Sequence, residues 1–157
     1  MQLVVQRVRN ASVDVEGKRV GEIGVGFVVL AGVARDDTEA DVNFLAEKVA
    51  HLRVFEDEER KMNRSILEVS GALLVISQFT LLANCRKGRR PSFIDAAPPE
   101  MAKRYVEQFV ARLKGFSLRV ETGVFQAMMD VTLCNYGPVT IVLDSKELLA
   151  GKGEPAK

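Results

Sequence analysis

Apolar positions recur along this chain in two rhythms, and the change of rhythm divides it into elements. Near the start, LVVQRV alternates weakly and ASVDVEG alternates clearly, which puts Val13 and Val15 on one face of a strand. EGKR then reads as a turn centred on Gly17. The run VGEIGVGFVVLAGVA is too apolar for an exposed strand and predicts a buried one, so the first third reads as a β-meander. Beyond it the period lengthens. Val42, Leu45, Val49 and Leu52 fall on one helical stripe, with Asp41, Glu47 and Lys48 mostly off it, and Asp36, Asp37 and Thr38 supply capping side chains. His51 is expected inside this helix, half-exposed.

EDEERKMNRS predicts a charged loop or hairpin tip, and GALLVISQF a second buried strand. LANCRKGRRPSF is a basic loop. APPEMAKRYVEQFVARLKG predicts an amphipathic helix: Pro98 or Pro99 suits its first turn, Ala102, Tyr105, Val106, Phe109 and Leu113 form its apolar side, and Gly115 suits its end. FSLRVETGVF and the two β-rich halves of VTLCNYGPVTIVLD complete the sheet. Between those halves sits Asn135-Tyr136-Gly137-Pro138, which leaves two readings open. It is a hairpin turn, since proline cannot donate to a ladder; or it is a working piece of backbone, since an X-Pro bond can be cis and successive carbonyl oxygens could then face an ammonium group. The element order predicts an α/β fold of layered β/β/α type, with two mixed or antiparallel sheets and two helices covering one face. A single domain is expected over 1–147, followed by a disordered tail over 148–157.

Composition narrows the chemistry. The chain has 157 residues, 47% hydrophobic and 27% charged, enough for a packed core. No apolar run approaches the ~20 residues that span a bilayer, and the start lacks a basic segment followed by a long apolar one, so a cytoplasmic protein is expected. The formal net charge of +1 leaves no global cationic field, so nucleic-acid contact needs a local patch. Two cysteines without C-x-x-C spacing and one histidine do not make a zinc site. The acidic group Glu56 to Glu59 runs into Arg60 and Lys61, as a solvated loop tip does. The GKR and GKGE segments lack P-loop spacing, and the glycines of GEIGVGF lie in strand-like sequence. No metal and no cofactor is expected. A histidine-dependent triad would have to use His51. A hydrolase built on this chain therefore works through backbone dipoles, small hydroxyls, or a group brought by the substrate.

Three segments carry positive signals. ISQFTLLAN ends an apolar strand in Ser77, Gln78 and Thr80, with Phe79 between, groups that could donate to a developing oxyanion. Arg86, Lys87, Arg89 and Arg90 cluster around Gly88 and suit phosphate contacts, with Phe93 as a stacking ring. Cys85 adjoins these cations but has no partner base. The third signal is Gly137-Pro138.

Taken together the three segments resemble the D-aminoacyl-tRNA deacylases. The family's SQ-x-T-L motif stands here as Ser77-Gln78-Phe79-Thr80-Leu81, and its N-x-G-P-V-T motif as Asn135 to Thr140. Gln6-Arg7-Val8, the KMN-x-S of Lys61 to Ser65, the KGRRPSF of Lys87 to Phe93 and the TG-x-F of Thr122 to Phe125 also look like the family, so the likeness covers roughly residues 1–146. Gln126 and Tyr136 stand where many relatives carry Gly and Asp. The resemblance implies a homodimer with its site at the interface, acting on the aminoacylated 3′ end of tRNA. It implies that carbonyls of Gly137 and Pro138 hold the substrate's α-amino group, that Arg7 braces them, that Ser77 to Thr80 line the pocket around the ester, and that Met129 lies beside it. D-aminoacyl esters, and glycyl esters, would be hydrolysed and L-esters excluded by clash. Thr80 would act as a nucleophile, or the tRNA 2′-hydroxyl would assist; the missing base favours the second. The alternatives are a related L-alanyl-tRNA editing deacylase and a non-catalytic tRNA-binding module.

Overall fold

The computed structural model describes residues 1–151. Its centre is the long first strand β1 (Gln2–Val15), which pairs antiparallel with β2 (Lys18–Ile23), with β3 (Gly26–Gly32) and with the last strand β8 (Asp130–Asp144). Two parallel strands, β6 (Ala72–Ser77) and β7 (Arg119–Thr122), extend the sheet from β3. The order β2-β1-β3-β6-β7, with β8 on β1, gives one large, nearly closed mixed sheet of six strands. The only other sheet among the described residues is the small pair β4 (Phe55–Glu56) and β5 (Met62–Arg64), the hairpin expected of EDEERKMNRS.

One expectation is corrected here. The first third is not a meander, because β3 returns to pair with β1 instead of β2. Of the two sheets expected, one holds six strands and is nearly closed, and the other is only the β4–β5 pair. The length of β1 explains the return of β3, because its residues 11–15 pair with β2 and its residues 2–8 with β3, and a bulge within it lets the large sheet serve two cores. Leu3 and Val5 face the helices, whereas Ala11 and Val13, also odd-numbered, join a second apolar cluster on the other face. The register shift between Val8 and Ala11 reverses the side-chain phase, so one strand serves two cores. Neighbouring strands show both faces buried: Phe27, Val29, Leu73 and Val75 point to one cluster, Val28, Leu74 and Ile76 to the other. A parallel strand pair covered on both sides gives continuous apolar runs rather than alternation.

Helices α1 (Glu39–Ala50) and α2 (Pro99–Gly115) pack against each other on the first face. The five apolar positions expected on α2 are all buried, and Phe109 and Leu113 are completely so. Each large apolar side chain so buried stabilises the fold by about 1.5–3 kcal/mol. The first helix ends at Ala50, short of the expected Leu52: His51 is its C-cap and is exposed, with its Nδ1 2.9 Å from the Glu47 carbonyl oxygen. A third helix, α3 (Ser145–Ala150), crosses the expected boundary at 147. The rest of the expected tail, from 152 on, lies outside the described residues. Helix α3 is anchored where three chain segments meet. Ser145 Oγ donates to Asp41 (2.7 Å) and accepts from the Met1 α-amino group (2.8 Å), which also contacts Asp37. Burial pushes the Asp41 carboxyl up, but hydrogen bonds from Ser145 and Thr38 outweigh it and hold the group below its ordinary range.

Candidate active site

Strand β6 is apolar until its last residue because both its faces are covered. Past the sheet, the chain tightens into a 3₁₀ turn at Phe79–Leu82, with Gln78 as its N-cap and the Gln78 amide donating to the Ala31 carbonyl (2.8 Å). Ser77, Gln78, Phe79 and Thr80 are thereby delivered to the wall of a cavity of about 910 Å³. The Gln78 side-chain amide donates to Thr80 Oγ1. The amides of Phe79 and Thr80, first in the turn, have no intrahelical acceptor by position. Met129 lines the same cavity. It packs so closely on Gly123 that a Cβ there would overlap its sulfur.

Other walls of the cavity were invisible in the sequence. Phe93 lies edge-on to Phe79, with ring centroids 4.9 Å apart and an interplanar angle of 69°. Pro98, Pro99 and Ala102 come from the start of α2, and Phe125 to Met128 from the loop before β8. Gln126 adopts φ 64°, a left-handed conformation that glycine takes without cost. Met128 is 93% exposed at the rim. No His, Asp, Glu or Lys among the described residues lines this cavity; its one ionisable side chain is Arg35. The carboxylates held below their ordinary range, Asp36, Asp41, Asp57 and Glu68, all lie elsewhere.

The Asn135-Tyr136-Gly137-Pro138 stretch is not a hairpin. Strand β8 runs on in one direction and pairs with β1 on both sides of it, from Asp14↔Asp130 to Val8↔Asn135 and again from Gln6↔Thr140 to Gln2↔Asp144. Residues 136–139 have no partner in that register and stand out as an elbow. The Gly137–Pro138 bond is cis. Gly137 has φ 132°, and a Cβ there would lie 2.8 Å from both Arg7 Nη2 and Val139 Cγ2, so any other residue strains the backbone and forces a neighbour to shift. Arg7, 4% exposed, donates from Nη1 to the Val54 carbonyl (2.6 Å) and from Nε to the Tyr136 carbonyl (3.0 Å). Asn135 closes the base of the elbow: its Oδ1 accepts from the Val139 amide (3.0 Å) and its Nδ2 donates to Thr140 Oγ1 (2.8 Å). Asn135 and the Val54 carbonyl carried no local sequence signal of this role.

The structure thus assembles the candidate residues into two groups. Ser77, Gln78, Phe79, Thr80 and Met129 share one cavity; Arg7, Gly137 and Pro138 form the elbow, and none of these three lines that cavity within the chain. The basic residues Arg86, Lys87, Arg89 and Arg90 are all exposed on a loop closed by the Asn84↔Ser92 bridge. Arg86 borders a second cavity, of about 560 Å³, which also takes in Arg35 from the rim of the first.

Fold and cavity define a mixed α/β domain whose candidate site is made of amides, hydroxyls and backbone, with an exposed glycine–proline elbow apart from it. The family model described as D-Tyr-tRNA(Tyr) deacylase matches residues 4–144. The chain is 55% identical over 148 residues to a D-aminoacyl-tRNA deacylase of Thermosipho africanus, covering 94% of this chain and 99% of that protein. It is 58% identical over 147 residues to those of Desulfitobacterium hafniense (94% and 99% covered) and Thermus aquaticus (94% and 97%). Among solved structures, the c-Myc DNA Unwinding Element Binding Protein superposes with a TM-score of 0.86 at 39% identity, over 92% of this chain and 98% of that one. A probable eukaryotic D-amino acid tRNA deacylase shares the fold, with a TM-score of 0.78 at 16% identity, over 90% and 97%. The chain belongs to the D-Tyr-tRNA(Tyr) deacylase family. No helix among the described residues is long and apolar enough to cross a membrane.

Proposed function

We propose that this protein hydrolyses the ester of D-aminoacyl-tRNA, releasing D-amino acid and tRNA, and that it works in the cytoplasm as a homodimer. The observation that carries the reading is the cavity at the end of β6. Its wall offers Ser77, Gln78 and Thr80, with the unpaired turn amides of Phe79 and Thr80, and offers no side-chain base. Such a wall suits a reaction in which donors stabilise charge developing on an ester oxygen while the proton is handled elsewhere. The terminal ribose of the substrate carries a 2′-hydroxyl next to the reacting ester, and that group positions or activates the attacking water. Thr80 shapes the site.

The elbow supplies chirality. Carbonyls of Gly137 and Pro138 from one subunit reach the cavity of its partner and hold the α-ammonium, which is why the two groups of residues stand apart in a single chain. With ammonium and ester both fixed, one direction remains for the side chain. A D-residue points it outward, an L-residue drives it into protein, and glycine has none to exclude. The exposed cations Arg86, Lys87, Arg89 and Arg90 contact the tRNA backbone.

The purified chain is tested with D-tyrosyl-tRNA, glycyl-tRNA carried on an alanine tRNA, and L-alanyl-tRNA. Release from the first two supports the reading. Release from L-alanyl-tRNA alone assigns the related editing activity, and salt-sensitive binding without release assigns a tRNA-binding module.

A further inference from the structure

The elbow needs more support than its hydrogen bonds give. Residues 136–139 have no register partner on β1, and Gly137 and Pro138 are exposed. The contacts at its base, from Asn135 and from Arg7 to the Tyr136 carbonyl, fix where the elbow begins and ends. What steadies its leading side is a side chain. The Tyr136 ring lies 4.2 Å from Arg9 Cζ and 4.8 Å from Arg7 Cζ, both within cation–π range. Arg9 belongs to the stretch where β1 breaks register between Val8 and Ala11, and Tyr136 to the stretch where β8 does. The two irregularities therefore flank the Val8↔Asn135 pair, one on each side, and the ring reaches from one to the other. Arg9, Tyr136 and Arg7 also border one shallow pocket with Phe55 and Glu56, so the stack lies against the body of the protein.

We propose that Arg9 and Tyr136 are positioning residues for the reaction: their stack holds the Gly137–Pro138 elbow in the orientation that receives the substrate's ammonium group. This rests on the deacylase reading for its functional consequence, but its structural half does not. Arg7 is buried and held by two backbone carbonyls; Arg9 is exposed and grips the elbow through the ring. Loss of the stack leaves the fold intact and lets the elbow move.

An ammonium held equally in ground and transition state affects KM rather than kcat. For a cation–π contact of ordinary strength, Arg9→Met and Tyr136→Ala should each raise KM for D-tyrosyl-tRNA about threefold to tenfold with kcat little changed. Both should raise the rate on L-tyrosyl-tRNA relative to D. Tyr136→Phe, which keeps the ring, should behave as wild type. Peptide hydrogen exchange over residues 134–140 supplies a readout independent of activity: it should quicken in Arg9→Met and Tyr136→Ala and not in Tyr136→Phe. Unchanged exchange and unchanged KM in Arg9→Met, an exposed position at which folding is not at risk, would overturn the proposal even if the enzyme is active. Wild-type inactivity on D-tyrosyl-tRNA together with the expected exchange pattern would remove the deacylase reading and leave the stack as the support of the elbow.

Discussion

The side-chain amide of Gln78 donates to the hydroxyl oxygen of Thr80. A lone pair of that oxygen is thereby engaged, and the cavity offers no histidine or carboxylate to take the hydroxyl proton. A threonine held this way is a poor nucleophile, since activation requires an adjacent base or a lowered pKa. Thr80→Ala should therefore lower kcat/KM by about tenfold at most, the scale of one lost hydrogen bond. A substrate whose terminal adenosine lacks the 2′-hydroxyl should lose about 100-fold or more, as loss of an acid–base group does. Single-turnover assays on both compare them directly; abolition by Thr80→Ala with the deoxy substrate unaffected would make Thr80 the nucleophile.

Gly137 combines a positive φ of 132° with a Cβ position 2.8 Å from Arg7 Nη2. Gly137→Ala must shift the elbow or the guanidinium, at a local cost of about 1–3 kcal/mol. Gly137 and Pro138 are exposed and outside both cores, so most of that cost should appear as displacement. The expected result is a loss of activity or of D-over-L discrimination, with a thermal midpoint within a few degrees of wild type. Unfolding without any specific catalytic change would make the segment purely structural.

The basic loop predicts a salt effect. Replacing Arg89 and Arg90 together by alanine should weaken tRNA binding and reduce the slope of log affinity against log salt by about 1.4–1.8, from two phosphate contacts. Filter binding at several salt concentrations reads this; an unchanged slope would place the tRNA elsewhere.

Acid should destabilise the protein over a defined range. The Asn63 side chain and the Lys61 amide hold Asp57 below its ordinary value, and the Ser65 amide and hydroxyl do the same for Glu68. Lys146 lowers Asp36. Between the folded and unfolded values the unfolded chain binds more protons, so stability rises with pH there. Stability should be level above about pH 5, beyond the ordinary carboxylate range, and fall as pH drops through the depressed values. Most of these groups are exposed and each contributes little. Urea midpoints from pH 2 to 7 test this; a midpoint that holds or climbs below pH 4 would contradict it.

How much of this was legible in the letters depends on how local each feature is. Helix α2 was, because Ala102, Tyr105, Val106, Phe109 and Leu113 repeat at helical spacing and all are buried. The Ser77 to Thr80 segment was legible because a single strand end carries it. The central place of β1 was not, because its two halves bury opposite phases around a bulge at Arg9 and Asn10, and only pairing with β8 reveals that. The continuous course of β8 was hidden for the same reason: Gly137-Pro138 interrupts the ladder without reversing the chain. Phe93 was read as a ring beside the basic loop, yet it packs edge-on to Phe79, a contact between segments that no spacing predicts.

The most direct test of the account is a paired rate measurement on one tRNA charged with D-tyrosine and with L-tyrosine. Sorting by a fixed ammonium seat predicts rapid release from the D form and release from the L form no faster than the uncatalysed background. Comparable release from both, or preference for the L form, would contradict it.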